Sequence, residues 1–312
     1  FVSSLVTVLY HLGIMQKVVR VVAWTMQRTM RTSGAETLCT ATNIFVGMME
    51  SPLVVKPYVE RMTESEMMAI MTAGLATISG TVLAAYAGML MPYHPDAAGH
   101  LIAASVMSAP AALVMSKLLV PETGEPVTTG VVAEEVERPD VNAIDAAARG
   151  AAEGLRLALV VGAMLIAFIA LVAMINGLLG WLGALVGASG VTLEGLLGSA
   201  LAPVAWMLGV PWVDADLIGR MIGIDFVLNE FVAFAELSNE LAYGASVDPR
   251  SLGIGIYALT TFANFGSVAM TIAGIGAIAP SRRQDLARMG PKAMAAGLMA
   301  SLMTAAVAGI LL

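Results

Sequence analysis

The sequence predicts an all-α polytopic membrane protein with inverted repeats, two re-entrant helical hairpins and two broken transmembrane helices. Hydrophobic residues make up 58% of the 312 residues and charged residues only 12%, whereas soluble domains carry about a quarter charged residues. Several apolar stretches have the roughly 20 residues that a helix needs to cross a bilayer. Two interrupted stretches carry Glu50 and Glu230, and a carboxylate at membrane depth is costly unless a partner, an ion or a water-filled cavity receives it. The two acids therefore predict a binding site near the middle of the bilayer.

The first element, residues 1–32, is predicted to be a scaffold helix. Its second half is expected to leave the bilayer and lie at the interface, because it carries Lys17, Arg20, Arg28 and Arg31. The chain starts with Phe1 inside an apolar segment, without a signal-peptide cleavage pattern. We therefore expect that this scaffold helix is incomplete at its N-terminus.

Two stretches, residues 33–60 and 216–245, are too interrupted for one clean crossing. The interrupting residues are Gly34, Gly47, Pro52 and Pro57 in the first stretch, and Gly219, Gly223 and Gly244 in the second. Both are interpreted as re-entrant helical hairpins, which are tolerated at membrane depth only when they are buried in protein or line a cavity. Residues 192–212 are interpreted as an interfacial or short helix beside the second hairpin.

The order of elements then repeats. The first repeat, residues 33–120, has a hairpin, a broken helix and an Ala-rich helix, and the second repeat, residues 192–312, has an interfacial helix, a hairpin, a broken helix and a terminal helix. A long scaffold helix, residues 154–191, separates them. An odd number of crossings lies between the repeats, so the second is predicted to be inverted relative to the first.

Charge predicts the orientation in the membrane. Residues 121–153 are interpreted as a cytoplasmic acidic linker that carries much of the net charge of −7, rather than as a site for a cationic partner. The stretch 157–219 lacks Lys and Arg, which is typical of an outer face. The C-terminus is therefore predicted to be extracytoplasmic. The cytoplasmic ends should be those near Lys56, Arg61, Lys117, Arg282, Arg283, Arg288 and Lys292.

Two kinds of site are excluded by residue usage. The single cysteine, Cys39, excludes an intramolecular disulfide and a cysteine-based metal site. The three histidines, His11, His94 and His100, lack metal-ligand spacing. No cofactor is expected apart from a coupling ion.

Polar residues cluster halfway along both predicted broken helices. Thr77, Ser79 and Thr81 lie in the first, and Thr260, Thr261, Asn264 and Ser267 lie in the second. Interhelical hydrogen bonding explains many single hydroxyls, but two clusters in matching positions favour unwound helices whose backbone groups line a cavity. Asn43 lies just before the Gly47 break, and neutral oxygen ligands of this kind suit Na⁺ better than a transition metal.

Several long motifs resemble those of one known family, the concentrative nucleoside transporters. They are SGAETLCTATNIFVG, ESPLVVKPYVERMTESE, HLIAASVMSAPAALVMSKLLVPET, VLNEFVAF, TFANFGS and GAIAPSRRQDLARMG. The resemblance covers nearly the whole chain. It implies a homotrimer in the bacterial inner membrane, with a scaffold domain and a mobile transport domain made of the two hairpins and the two broken helices. It also implies nucleoside import driven by Na⁺, or by H⁺ in some bacterial members, and the absence here of an N-terminal portion.

The resemblance also implies roles for individual residues. Glu230, Asn264 and Ser267 fall on the positions that hold the ribose hydroxyls, since an ionised carboxylate accepts strong hydrogen bonds from such groups. Glu50 would face the base or the sugar, and Val82 would pack on the base. The sodium positions are Asn43, Val46, Thr77 and Ile78, the last through its backbone carbonyl.

One departure from the family pattern concerns the first hairpin tip. The family usually has GQTE or GQSE there, and this chain has GMME, so Met48 and Met49 replace two hydrogen-bonding residues. A thioether surface tolerates varied shapes. We therefore expect substrate binding through Met48 and Met49 to have altered or relaxed base selectivity, with ribose recognition kept.

Three alternatives remain open at this point. The chain could transport a different sugar-bearing solute, or it could be an uncoupled channel or receptor-like module. It could also be an intramembrane hydrolase with Glu50 and Glu230 as an acid/base pair. The hydrolase lacks a nucleophile motif, so no enzyme activity is expected, and nothing in the sequence suggests a nucleic-acid partner.

Overall fold

The computed structural model describes residues 1–128, 140–185, 187–188 and 190–312, and within these ranges the ordered elements are helical, without a β-strand. Three helical segments are long and apolar enough to cross a membrane: Glu64–Leu90, Ala97–Leu119 and Pro280–Leu311. Two more pairs of helices meet this criterion but are sharply bent at a short break. The predicted all-α membrane fold is confirmed.

Residues 1–32 form two helices rather than the single predicted one. Helix α1 (Val2–His11) and helix α2 (Ile14–Met30) meet at an angle of 83°. Gly13 between them has a φ of 77°, a left-handed conformation that glycine adopts readily. Helix α2 buries Met15, Val19, Ala23 and Met26 on one face, which is the spacing of an amphipathic helix.

The first repeat spans residues 33–120 and is built from five α-helices and one 3-10 helix. It contains α3 (Gly34–Asn43), a 3-10 helix (Ser51–Val55), α4 (Lys56–Val59), α5 (Glu64–Ala76), α6 (Gly80–Leu90) and α7 (Ala97–Leu119). Capping boxes begin α3 and α5, at Ser33 with Glu36 and at Thr63 with Glu66. Each satisfies two backbone N–H groups that have no partner within the helix. The first hairpin and the first broken helix therefore begin at capping motifs that are present in the local sequence.

The long helix α8 (Ala143–Leu185) begins inside the predicted linker. The Asn142 side chain accepts hydrogen bonds of 3.0 Å from the backbone N–H groups of Ile144 and Asp145, which caps this start. Arg149 then pairs with Asp140 at 2.6 Å. The linker prediction is therefore wrong for residues 143–153, and residues 129–139, which hold three of the eight acidic residues of the linker, lie outside the described ranges.

The second repeat contains six α-helices and one 3-10 helix within the described residues. They are α9 (Leu193–Met207), α10 (Trp212–Val227), α11 (Glu230–Ala242), α12 (Pro249–Leu259), α13 (Phe265–Ile278), a 3-10 helix (Pro280–Arg282) and α14 (Arg283–Leu311). Helix α14 corresponds to the predicted terminal helix, and it continues through Pro291.

The second hairpin breaks at a different place from the one that its glycines suggested. Gly219 and Gly223 lie inside α10, and the chain breaks at Leu228 and Asn229. A Cβ on Gly219 would lie 2.6 Å from the backbone nitrogen of Ala202 in α9. These glycines therefore allow α9 and α10, bent by 116°, to pack backbone against backbone, and they do not interrupt α10.

The direction of the first broken helix follows from the contacts of α5 with α14. Its Arg288 contacts Glu64, the first residue of α5. Farther along α14, a Cβ on Gly297 would lie 3.1 Å from the Leu75 side chain, near the end of α5. Helices α5 and α14 therefore run in the same direction.

The second broken helix runs the opposite way along α14. A Cβ on Gly253, near the start of α12, would meet the Leu312 side chain at 2.8 Å. A Cβ on Gly297 would lie 3.4 Å from Ala263, just after the end of α12. Because α5 runs with α14 and α12 runs against it, the two repeats are inverted.

Candidate solute and cation site at the helix breaks

The two broken helices meet at their breaks. Helix α5 stops before the extended residues Thr77–Ser79, and α12 stops before Thr260–Asn264. The Leu75 carbonyl accepts hydrogen bonds of 2.8 Å from the Phe262 backbone N–H and from the Thr261 hydroxyl. The unwound segments therefore lie side by side at the centre of the bundle, as the matching polar clusters predicted.

Glu230 lies where the second hairpin reaches these breaks. Its side chain is 7% exposed, and Asn229 caps the helix that it begins. The Tyr86 hydroxyl donates to one carboxylate oxygen at 2.9 Å, and the Asn264 amide donates to the other at 3.3 Å. These donors and the positive end of α11 stabilise a negative charge in a buried position. The structure therefore satisfies the condition under which a carboxylate at this depth is tolerated.

Asn264 connects Glu230 to the start of α13. Its side-chain oxygen accepts a 2.9 Å hydrogen bond from the Ser267 backbone N–H, while its amide nitrogen faces Glu230. Val82, on α6, packs half-buried against the core that contains Tyr86. The structure thus brings Glu230, Asn264 and Ser267 together, with Val82 on the neighbouring helix.

Glu50 is exposed, contrary to the prediction of two buried acids. It lies at the first hairpin tip, where Gly47 has a φ of 114°. A Cβ on Gly47 would lie 3.1 Å from the Ser79 Cβ and 3.4 Å from a Glu50 carboxylate oxygen. Ser79 precedes α6 and Tyr86 lies seven residues farther on, about 10 Å along a helix. The two acids therefore lie beside different points of α6: Glu50 is solvent-exposed near the start of this helix, and Glu230 is enclosed near Tyr86.

Met48 and Met49 extend toward α13. Met48 is 9% exposed, and its sulfur accepts a 3.7 Å hydrogen bond from the Thr271 hydroxyl. Met49 is 41% exposed, and its sulfur lies 3.1 Å from where a Cβ on Gly274 would be. Thr271 and Gly274 were missed in the sequence because nothing local links them to a hairpin more than 200 residues away.

The predicted cation positions lie together at the first break. The Asn43 amide donates to the Ala73 carbonyl at 2.7 Å and also to the Thr77 hydroxyl. Its side-chain oxygen accepts a 3.2 Å hydrogen bond from Ser51.

Val46 and Ile78, the other two predicted cation positions, lie next to one backbone hydrogen bond between their segments. Gly80 donates its backbone N–H to the Phe45 carbonyl at 3.3 Å, which places the segment with Val46 beside the segment with Ile78. The Ile78 carbonyl also accepts a 3.4 Å hydrogen bond from Ser105. Hydroxyl, amide and carbonyl oxygens line this candidate site, and the sequence analysis did not include Ser51 and Ser105. In the described ranges, no group of three or more His, Cys, Asp or Glu could hold a metal ion.

Comparison with known families gives two matches that together cover most of the chain. The profile described as the C-terminus of Na⁺-dependent nucleoside transporters matches residues 100–309. A second profile, described as Gate, nucleoside recognition, matches residues 1–93. Both regions contain parts of the site described above.

Individual relatives agree with these matches. The transporter YutK of Bacillus subtilis (strain 168) is 46% identical over 99% of this chain and 75% of its own length. Sodium/nucleoside cotransporter 1 of Oryctolagus cuniculus is 40% identical over 100% of this chain and 48% of its own length.

The fold also matches solved structures. CNTnw in an inward-facing substrate-bound state has a TM-score of 0.91 and 45% identity, covering 99% of this chain and 72% of that one. These relatives are transporters and not enzymes, so the intramembrane hydrolase interpretation of Glu50 and Glu230 is wrong. The chain belongs to the concentrative nucleoside transporter family.

Proposed function

We propose that this protein imports nucleosides by alternating access and that a cation gradient, most simply of Na⁺, drives the import. The observation that carries the proposal is the enclosed Glu230 carboxylate at the junction of the second hairpin and both broken helices. The vicinal hydroxyls of ribose are donors, and an ionised carboxylate in a dry site accepts them strongly. Asn264 and Ser267 would complete the ribose contacts.

The first hairpin tip supports ribose recognition with altered base recognition. Glu50 would face the solute from the tip, and Val82 would pack on the base. Met48 and Met49 offer thioethers in place of directional hydrogen-bonding groups, and thioethers adapt to different shapes. A different sugar-bearing solute is the alternative substrate. In that case, ribose-like hydroxyls and not a base would dominate recognition.

Na⁺ as the coupling ion is supported by the neutral oxygens around Asn43 and Thr77, which suit a monovalent cation. The rabbit relative is named as a sodium/nucleoside cotransporter. Coupling to H⁺ instead would require a carboxylate to carry the proton.

Coupling between the ion and the solute has a simple physical basis here. The segment Thr77–Ser79 carries two of the proposed cation positions, and its last residue lies near Gly47 at the hairpin tip and immediately precedes the helix that bears Tyr86. An ion that orders this segment would also order the solute contacts. Two ligands that favour the same arrangement bind cooperatively.

The arrangement of charge supports the proposed orientation in a bilayer. Lys117 pairs with Glu36 at 2.7 Å, and Arg282 donates to the Met62 carbonyl at 2.7 Å. These contacts, with that of Arg288, gather at the starts of α3 and α5, which we assign to the cytoplasmic side. The C-terminus, at the opposite end of α14, would then be extracytoplasmic in a bacterial inner membrane.

Assembly as a homotrimer is part of the same proposal. Helix α8 exposes large apolar side chains along its length, among them Ile166, Ile169, Met174 and Leu178. Such a surface suits lipid or another copy of the chain.

The direct test is uptake of radiolabelled nucleosides into proteoliposomes. The proposal predicts accumulation above the external concentration when an inward Na⁺ gradient is imposed, and loss of accumulation when the gradient is collapsed. Glu230→Gln should remove most uptake, whereas Glu236→Gln, which removes a carboxylate from the same helix, should retain it. Equilibration without accumulation would instead indicate the channel-like alternative, and absence of nucleoside uptake would overturn the substrate assignment.

A further inference from the structure

A second carboxylate lies inside the second hairpin and has no part in the proposed solute site. Asp225 is five residues before Glu230, in the last turn of α10, and is 2% exposed. Its oxygen Oδ1 is buried and has no hydrogen-bond partner among the described residues. An ionised carboxylate in such a position is costly unless it is paired. Asp225 therefore needs a cation or a proton that the rest of the hairpin does not provide.

The charged groups around Asp225 increase this cost. Asp225 lies close enough to Glu230 for the two charges to repel. The α10 dipole also adds to this cost, because Asp225 lies in the last turn of that helix, next to the negative end of the dipole.

The cations on the surrounding helices are engaged elsewhere. Arg220, on α10 itself, pairs with Glu240 of α11 at 2.8 Å. Arg250 of α12 donates to the Gly209 carbonyl at 2.5 Å. The remaining titratable side chains of the helices packed against α10 are Glu194 of α9, Glu236 of α11 and Tyr257 of α12, and α10 itself also carries Asp214 and Asp216. Glu194 is held by Asn176 at 2.9 Å. None of these groups supplies a positive charge to Asp225.

Asp225 and Glu230 differ in how well each can hold a negative charge. Two neighbouring carboxylates in a water-poor region do not both ionise readily, so one of them keeps a proton. Glu230 has two hydrogen-bond donors and the positive end of α11. Asp225 has an unpartnered oxygen and the negative end of α10. The charge therefore belongs on Glu230 and the proton on Asp225.

We propose that Asp225 is a proton-binding site that is loaded together with the nucleoside. A proton from hydronium forms an O–H bond on the Asp225 carboxylate. The carboxylate becomes a neutral acid, and the hydronium becomes a water molecule. Ribose hydroxyls that donate to Glu230 hold Glu230 as an anion, and this makes ionisation of Asp225 still less favourable. Nucleoside binding and proton binding at Asp225 should therefore strengthen each other. The linkage rests on the proposed function, whereas the location of the proton does not.

The first test measures nucleoside binding to the purified protein at saturating Na⁺ across a range of pH. Linkage to one proton predicts that affinity falls by up to about tenfold per pH unit once Asp225 begins to ionise. Asp225→Asn keeps the size and neutrality of the acid, so its affinity should equal that of the wild type at low pH and stay constant. Asp216→Asn, an exposed carboxylate on the same helix, should retain the wild-type slope. A constant affinity in the wild type, or an unchanged slope in Asp225→Asn, overturns the proposal.

The second test locates the proton by infrared spectroscopy and needs no substrate. The carbonyl stretch of a protonated carboxylic acid should be present in the wild type and in Glu230→Gln, and absent from Asp225→Asn. Loss of this band in Glu230→Gln with retention in Asp225→Asn places the proton on Glu230 and overturns the proposal. If Asp225→Asn does not fold, Asp225→Glu must shift the midpoint of the binding profile, and an unchanged midpoint overturns the proposal. A wild-type protein that shows the Asp225 band but binds no nucleoside at any pH would instead contradict the proposed function.

Discussion

The Tyr86 hydroxyl donates a 2.9 Å hydrogen bond to the Glu230 carboxylate, across 144 residues of sequence. The Tyr86 ring stacks on Phe234 with centroids 4.4 Å apart and meets Phe231 edge-on at 5.8 Å. Packing therefore fixes the ring, and the ring places a donor beside a buried acid. This contact joins the first broken helix to the tip of the second hairpin.

Replacing the donor tests the importance of this contact. Tyr86→Phe keeps the ring and its stacking but leaves one Glu230 oxygen without its partner, and a hydrogen bond to a charged group contributes about 1.5–3 kcal/mol. We expect the nucleoside concentration for half-maximal uptake to rise about tenfold or more, with little change in thermal stability. Tyr93→Phe removes the same hydroxyl from a side chain that is 41% exposed and should behave as the wild type. Equal kinetics for both variants would contradict this role of Tyr86.

Asn43→Ala tests the cation site. The substitution removes the side-chain oxygen that faces Ser51 and the amide that bonds Ala73 and Thr77. We expect a higher Na⁺ concentration for half-maximal uptake, while uptake at saturating Na⁺ falls less. The control is Asn239→Ala, an exposed amide on α11. An unchanged Na⁺ dependence in Asn43→Ala would show that the ion binds elsewhere.

The methionine tip predicts broad base selectivity. Purine and pyrimidine nucleosides should compete for uptake within about tenfold of each other, because each missing hydrogen bond removes about 1–3 kcal/mol of discrimination. The double substitution Met48→Gln with Met49→Thr should widen this ratio. Met91→Gln, at a position 49% exposed, serves as the control. Strict selectivity for one base class in the wild type would refute the relaxed tip.

Gly219 tests the packing of α9 on α10. A Cβ at this position would lie 2.6 Å from the Ala202 nitrogen and 2.7 Å from the Leu201 carbonyl carbon, both backbone atoms. Overpacking of this kind costs about 1–3 kcal/mol, so Gly219→Ala should lower the thermal unfolding temperature in detergent. Gly177→Ala, in α8, meets nothing within 4 Å and should leave that temperature equal or slightly higher. If the two variants had equal stability, Gly219 would not be a close-packing position.

The sequence alone determined the features that depend on neighbours along the chain. Apolar length predicted membrane-spanning helices, and the polar clusters that begin at Thr77 and Thr260 predicted two helix breaks, which the structure shows at Thr77–Ser79 and Thr260–Asn264. These follow from local physics, because a helix must satisfy its own backbone hydrogen bonds in a bilayer. The order of the elements then predicted the inversion of the repeats.

Tertiary structure decided the features that depend on how helices face one another. Gly219 looked like a helix breaker, but its place against Ala202 made it a packing residue, and the break fell at Leu228 and Asn229 instead. Glu50 proved exposed, while the unremarked Asp225 proved enclosed and unpartnered. Side chains far apart in sequence meet only after the helices have packed, so their contacts and burial are set by the assembled bundle and not by any local pattern.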